Sequence, residues 1–214
     1  DRAGLAGLRR QRIRAHLVSG FGHAVGLQHW GSERAFDLAH HLGRQRGAAA
    51  RLGVTTVEFL RFPDGELLPN LELRGAVTRM IRKYRPYAVM THDPQTLFYN
   101  NEFVNHPDHR AIGQATVDAI YPTARDPLQF SEQIKEGLET HKVKEIYIFG
   151  TEQPNVLVDI SETIEDKIEA LKLHVSQVGT AEELAERIRS RSAQVAEPHG
   201  LRFAEAFKRV VMRM

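Results

Sequence analysis

Two histidines and an aspartate stand close together in Asn105-His106-Pro107-Asp108-His109-Arg110. Pro107 suits the first position of a helix, where a missing N–H costs nothing and φ is already helical. Asn105 or His106 would then cap the helix, and Asp108 in its first turn is favoured by the dipole. On a helical start His106 and His109 are near neighbours, with Cβ atoms roughly 5–6 Å apart. Two imidazoles and a carboxylate at a helix mouth can bind zinc, or hold a hydroxide and a developing oxyanion. A histidine-rich cap with a purely structural role fits the same spacing.

Such a segment needs a scaffold that carries it to a cleft. Apolar stripes at helical spacing predict helices over 33–52, 71–84, 111–121, 126–142, 161–175 and 182–196. Short apolar, β-branched runs predict strands over 54–62, 87–91, 145–150 and 156–160. Helices and strands in alternation imply an α/β fold, a Rossmann-like three-layer α/β/α arrangement with a mostly parallel sheet. Ligands in such folds sit beyond the C-terminal ends of the strands. His92-Asp93-Pro94 leaves one strand at that end, and Pro63-Asp64-Gly65 leaves another. Asp64 could face a ligand hydroxyl or accept from its own backbone. Phe203, Phe207 and Val210-Val211 should tie the C-terminal segment to the core.

Read together, these motifs resemble a family. His106-Pro-Asp-His-Arg110, continued by Ala111-Ile-Gly-Gln-Ala115 and Asp118-Ala-Ile-Tyr-Pro122, is similar to the LmbE/PIG-L family of zinc-dependent N-acetylglucosamine deacetylases. Phe62-Pro-Asp-Gly-Glu66 precedes it in order; Pro154-Asn155, Val158-Asp-Ile160, Lys167, His174, Ser176-Gln177 and Ala204-Glu-Ala-Phe207 follow. The resemblance implies an amide hydrolase acting on an N-acetylglucosamine conjugate. It implies His109 as the zinc ligand, His106 as the imidazole beside the oxyanion or leaving group, and Asp108 as its polar support. Asp64, His92 and Asp93 would contact the substrate. The family's earlier His-Pro-Asp-Asp motif, which gives two more ligands and the general base, has no counterpart in residues 1–32. Weak or absent zinc and impaired turnover are therefore expected. His92 and Asp93, or His16 and His23, are the nearest replacements. The competing expectation is a catalytically inactive sugar-binding or assembly protein on the same fold.

Composition sets the outer limits. A chain of 214 residues at 42% hydrophobic can bury one α/β core. It has no cysteine, so disulfides and thiolate metal sites are excluded and any zinc must sit on His and carboxylate. No apolar run reaches the ~18 residues of a spanning helix, and no signal-peptide pattern is present, so a cytoplasmic location is the default expectation. Residues 1–50 hold eight Arg and no Lys against three acids, and the rest must carry −3 to give the net +2. Without aromatic interleaving this does not predict nucleic-acid binding; a small amino-sugar conjugate is the expected partner, and homo-oligomerisation stays open. Glycines 4, 7, 20, 22, 26 and 31 interrupt every period in residues 1–32. That segment is expected to be atypical, truncated or frame-shifted, with an incomplete first strand and loop; a basic arm or transit peptide are the alternatives. Residues 33–214 form the deacetylase-like domain in this reading.

Overall fold

In this computed structural model the described residues are 16–21, 34–173 and 180–213. Strand β1 (His16–Phe21) is followed by α1 (Arg34–Arg51), β2 (Thr56–Phe62), α2 (Leu71–Tyr84) and β3 (Ala88–His92). A short hairpin, β4 (Phe98–Tyr99) and β5 (Phe103–Val104), leads into α3 (Pro107–Ile120). Then come α4 (Ser131–Lys135), β6 (Glu145–Phe149), β7 (Val156–Asp159), α5 (Ile164–Lys172), α6 (Ala181–Ala196) and β8 (Ala204–Val211).

The four-stranded sheet has the order β3-β6-β8-β7. β3 and β6 pair in parallel, with Ala88 opposite Glu145 and His92 opposite Phe149. β8 runs antiparallel to both β6 and β7, so it alone opposes the direction shared by the other three. The expected α/β layering holds, with a mixed rather than uniformly parallel sheet. The signal for β8 in the sequence is Phe207 and Val210, apolar residues that contribute to packing on the sheet.

Two apolar clusters hold the layers together. Helices α2 and α3 pack on one face of β3 and β6 through Leu73, Val77, Ile81, Ala111, Ala115 and Ala119 against Ile146 and Ile148. The alanines repeat every four residues, which keeps one face of α3 flat and lets α2 approach closely. Ile160, Ile164, Ile168 and Ala185 form the second cluster, joined by Val158, Ile188 and Phe203. Helix α2 starts at the Asn70 cap, whose side chain accepts from Leu73 N at 2.9 Å. It stops at Arg85, left-handed at φ 49°, whose N–H donates to Ile81 O at 2.9 Å as in a left-handed helix cap, just before Pro86. Helix α6 opens on a reciprocal capping box between Thr180 and Glu183.

Two expectations are corrected. The first strand is present: β1 pairs in parallel with β2 from His16↔Thr56 to Ser19↔Phe59, with an irregularity before Phe21. Leu17-Val18 is the apolar core of that strand, and the glycines fall beyond it. The remainder of 1–32, with its arginine run, lies outside the described residues, as do His174 and Gln177. The helix expected over 126–142 is reduced to the five residues of α4. Pro127 and Gly137 limit a helix there, and Phe130 is left-handed at φ 51°.

The backbone of that irregular segment is satisfied from α2 instead. Arg82 is 2% exposed, and its guanidinium donates to the carbonyls of Thr123, Asp126, Gln129 and Phe130 and to Gln133 Oε1 at 2.9–3.2 Å. Phe130 in turn lies on Gly75, where a Cβ would meet its ring at 2.7 Å. Removing one partner strands several buried acceptors, each costing on the order of 1–3 kcal/mol. Arg82→Met should lower the unfolding free energy in urea by about 3 kcal/mol. A shift within about 0.5 kcal/mol, as for a surface change, would show that the segment does not depend on Arg82.

Candidate active site

Pro107 occupies the first turn of α3, as its fixed φ favours, and the cap is His106. The His106 Nδ1 accepts from Asp108 N at 3.2 Å. A neutral imidazole that accepts at Nδ1 carries its proton on Nε2, so His106 presents a donor outward. Asp108 is 1% exposed and turns away from solvent. Its Oδ2 accepts from Gly65 N at 2.7 Å and its Oδ1 from Leu67 N at 3.3 Å. One carboxylate therefore fixes the turn carrying Asp64 against the helix mouth.

His109 sits one turn along. Its ring stacks on that of His92 with centroids 4.0 Å apart and planes 13° apart, and lies 5.3 Å from that of His106. Phe149 backs His92 from the neighbouring strand at 4.3 Å. Burial, reinforced by the nearby His109, pushes His92 down to about 4. Burial and His106 lower His109 as well, against the opposing pull of Asp108 and Asp64. Both rings are neutral near pH 7.

Residues without any catalytic signature make this apposition possible. A Cβ on Gly113 would meet the carbonyl oxygen of His92 at 2.5 Å, so glycine lets α3 lie against the end of β3. Asn105 is not the cap. It is buried, and its Nδ2 donates to Thr96 O at 2.8 Å while its own N–H donates to Leu97 O, also at 2.8 Å. This locks the loop after β3 to the start of α3. In the sequence Gly113 was only one residue of the motif Ala111-Ile-Gly-Gln-Ala115, and Asn105 only an alternative cap.

The structure brings His92, His106 and His109 together and places Asp64 beside them through the Asp108–Gly65 bond. Asp93 is different: its oxygens accept from Gln95 N at 2.8 Å and Thr96 Oγ1 at 3.1 Å, binding its own loop. Among the described residues no group of three His, Asp or Glu could hold a metal ion. The geometry explains why. Stacked, nearly parallel imidazoles direct their in-plane lone pairs along separate planes, so His92 and His109 cannot share an ion about 2.0–2.1 Å from each. His106 uses Nδ1 as the cap, and both Asp108 oxygens are taken. Among the described residues this arrangement does not fit a three-ligand zinc site. His16 begins β1, opposite Thr56 and so at the far end from the 63–65 turn, and His23 lies outside the described residues.

Residues 16–120 match the PIG-L family, described as GlcNAc-PI de-N-acetylase. The chain belongs to this family. It is 32% identical over 148 residues to a diacetylchitobiose deacetylase of Thermococcus kodakarensis, covering 69% of this chain and 53% of that protein. It is 24% identical over 202 residues to a 1D-myo-inositol 2-acetamido-2-deoxy-alpha-D-glucopyranoside deacetylase of Mycobacterium sp. strain KMS, covering 75% of this chain and 62% of that one. The chain thus spans between about half and two thirds of these relatives' length. The fold matches the N,N'-diacetylchitobiose deacetylase of Pyrococcus horikoshii with a TM-score of 0.84 at 24% identity, over 97% of this chain and 77% of that one. No helix among the described residues is long and apolar enough to cross a membrane.

The close approach at Gly113 gives a direct check. Gly113→Ala should push α3 off β3, cost about 1–3 kcal/mol as overpacking does, and separate the His92 and His109 rings. Imidazole proton shifts in NMR report that separation. Unchanged ring shifts would show that the stacking does not depend on Gly113.

Proposed function

We propose that this chain is an amide hydrolase that removes the acetyl group from an N-acetylglucosamine conjugate, and that its turnover as it stands is impaired. The observation that carries the reading is the trio of neutral or donor imidazoles at the mouth of α3, held by Asp108 against the Asp64 turn. Amide hydrolysis needs a base for water, a donor for the tetrahedral oxyanion and an acid for the leaving amine. The outward Nε2–H of His106 is placed to donate a hydrogen bond to the oxyanion. The positive end of α3 favours negative charge at the same place. Asp64 would accept from a sugar hydroxyl, and the buried His92 ring would wall the pocket and keep His109 in position.

Similarity to metal-dependent deacetylases supports zinc as the natural cofactor, with His109 as its ligand from this segment. The described residues do not complete that site. The impairment follows from the absence of the His-Pro-Asp-Asp motif from the sequence after β1.

The test is acetate release from N-acetylglucosamine oligosaccharides. The unmodified chain should release little. A variant with His-Pro-Asp-Asp introduced after Phe21 should gain activity that a chelator removes. In that background His109→Ala should cost at least about a hundredfold, the scale on which a positioned catalytic imidazole acts. An inert motif variant, or one indifferent to His109→Ala, would contradict the reading.

A further inference from the structure

The β4–β5 hairpin stands apart from the main sheet as a two-stranded sheet of its own. Two strands alone are marginal in water; a third strand or a packing partner completes them. The turn runs through Asn100 and Asn101, at φ 50° and 57°, and Glu102 N donates to Tyr99 O at 2.9 Å. One flank is tied back to the molecule. Asn100 N donates to Glu152 Oε1 at 2.7 Å on the loop after β6, and Tyr99 lies over Gly150. The other flank, β5, is an outer edge. Glu102, Phe103 and Val104 are all exposed, Phe103 at 60% and Val104 at 68%.

The register shows what that edge offers. Phe98 pairs with Val104, and Asn105 N donates to Leu97 O at 2.8 Å. Bonded and non-bonded pairs alternate along an antiparallel ladder, so Leu97/Asn105 is bonded and Phe98/Val104 is not. The N–H and C=O of Val104 therefore point away from β4, and among the described residues neither has a backbone partner. Lysine or proline commonly blunts such an edge. Residues 102–106 contain neither, and Pro107 ends the run. Side chains alternate along a strand, so Glu102, Val104 and His106 share a side. Glu102 has no side-chain partner among the described residues. The Nε2–H of His106 points outward, because its Nδ1 accepts from Asp108 N.

This edge complements itself. Two antiparallel copies of β5 about a two-fold axis at Val104 exchange a pair of hydrogen bonds, each Val104 N–H donating to the other's carbonyl. That register sets Glu102 of one copy opposite His106 of the other, with Cβ atoms about 5 Å apart. Carboxylate meets imidazole N–H and valine meets valine, while the two Glu102 charges stay roughly 13 Å apart along the strands. A register centred on Phe103 fails, because the N–H and C=O of Phe103 face β4.

We propose that the chain forms a two-fold dimer through β5, in which Glu102 of the partner subunit accepts a hydrogen bond from His106 at the mouth of the histidine cluster. The dimer goes beyond the deacetylase reading and does not depend on turnover.

Sedimentation equilibrium on the intact chain should show a concentration-dependent monomer–dimer equilibrium. Val104→Pro removes the central N–H without touching a bond within the hairpin. It should raise the dimer Kd about a hundredfold, the scale of two interface hydrogen bonds. Val104→Asp sets like charges directly opposite one another and should abolish the dimer. Melting curves check that both variants fold. Leu128→Asp, at an 84% exposed residue beyond α3, should leave the dimer intact. In dimers mixed from isotope-labelled and unlabelled chains, nuclear Overhauser effects should join the Glu102 side chain of one copy to the His106 ring of the other. A chain monomeric at every concentration, a dimer that survives both Val104 substitutions, or one without that contact would overturn the proposal. So would a dimer lost only in Leu128→Asp. Monomers that bind phosphatidylcholine vesicles through Phe103 and Val104 would assign the edge to a lipid surface and overturn it too.

Discussion

The Asp108 carboxylate is the constraint on which the site depends. A buried carboxylate is costly unless its oxygens are hydrogen-bonded. Here the partners are the backbone N–H groups of Gly65 and Leu67 rather than a cation. Hydrogen bonds to a charged group contribute roughly 1.5–3 kcal/mol each, and these two span more than forty residues of chain. They join the end of β2 to the mouth of α3. The histidines at 106 and 109 then stand on the same helical turn that holds the Asp64 turn in place. Asp108 thus acts through its neighbours, with each of its oxygens already engaged by a backbone N–H.

Around that tie, backbone proximity does what side chains alone could not. Gly113 brings α3 onto the carbonyl of His92, and Asn105 bridges the loop after β3 to the helix start. The imidazoles of His92 and His109 are stacked and neutral as a consequence of burial. The same stacking sets their lone pairs in parallel planes and leaves the described residues short of a metal site. Family membership and a complete catalytic set are therefore separate properties of this chain. The first rests on motifs from β2 onward, and the second depends on a motif that its sequence lacks.

Much of this was legible in the residues. Leu71 to Tyr84 reads as an amphipathic helix that ends before Pro86, and the structure has those bounds. Pro107 fixed the start of α3 for a similar local reason. The irregular 126–142 segment was misread because its apolar spacing mimics a helix, while the decisive partner, Arg82, is more than forty residues away. Strand β8 was read only as an apolar tie because pairing with β6 and β7 is non-local. The β4–β5 hairpin hid behind two-residue strands, although Asn100-Asn101 is a turn signal. In the N-terminal region, glycine spacing obscured a short strand that pairs with β2. Local chemistry was readable wherever caps and prolines act on their own neighbours. It failed wherever a distant side chain satisfied the backbone.

The most direct measurement is amide hydrogen exchange at Gly65 and Leu67, in the unmodified chain and in Asp108→Asn. Gly65 is exposed and Leu67 buried, and neither lies in a strand or helix, so protection at Gly65 above all must come from the carboxylate. Protection in the unmodified chain comparable to the core of α3, lost selectively at these two amides in Asp108→Asn, is the predicted result. Exchange near the unfolded rate in the unmodified chain, or protection that survives the substitution, would contradict the claim that Asp108 holds the site together.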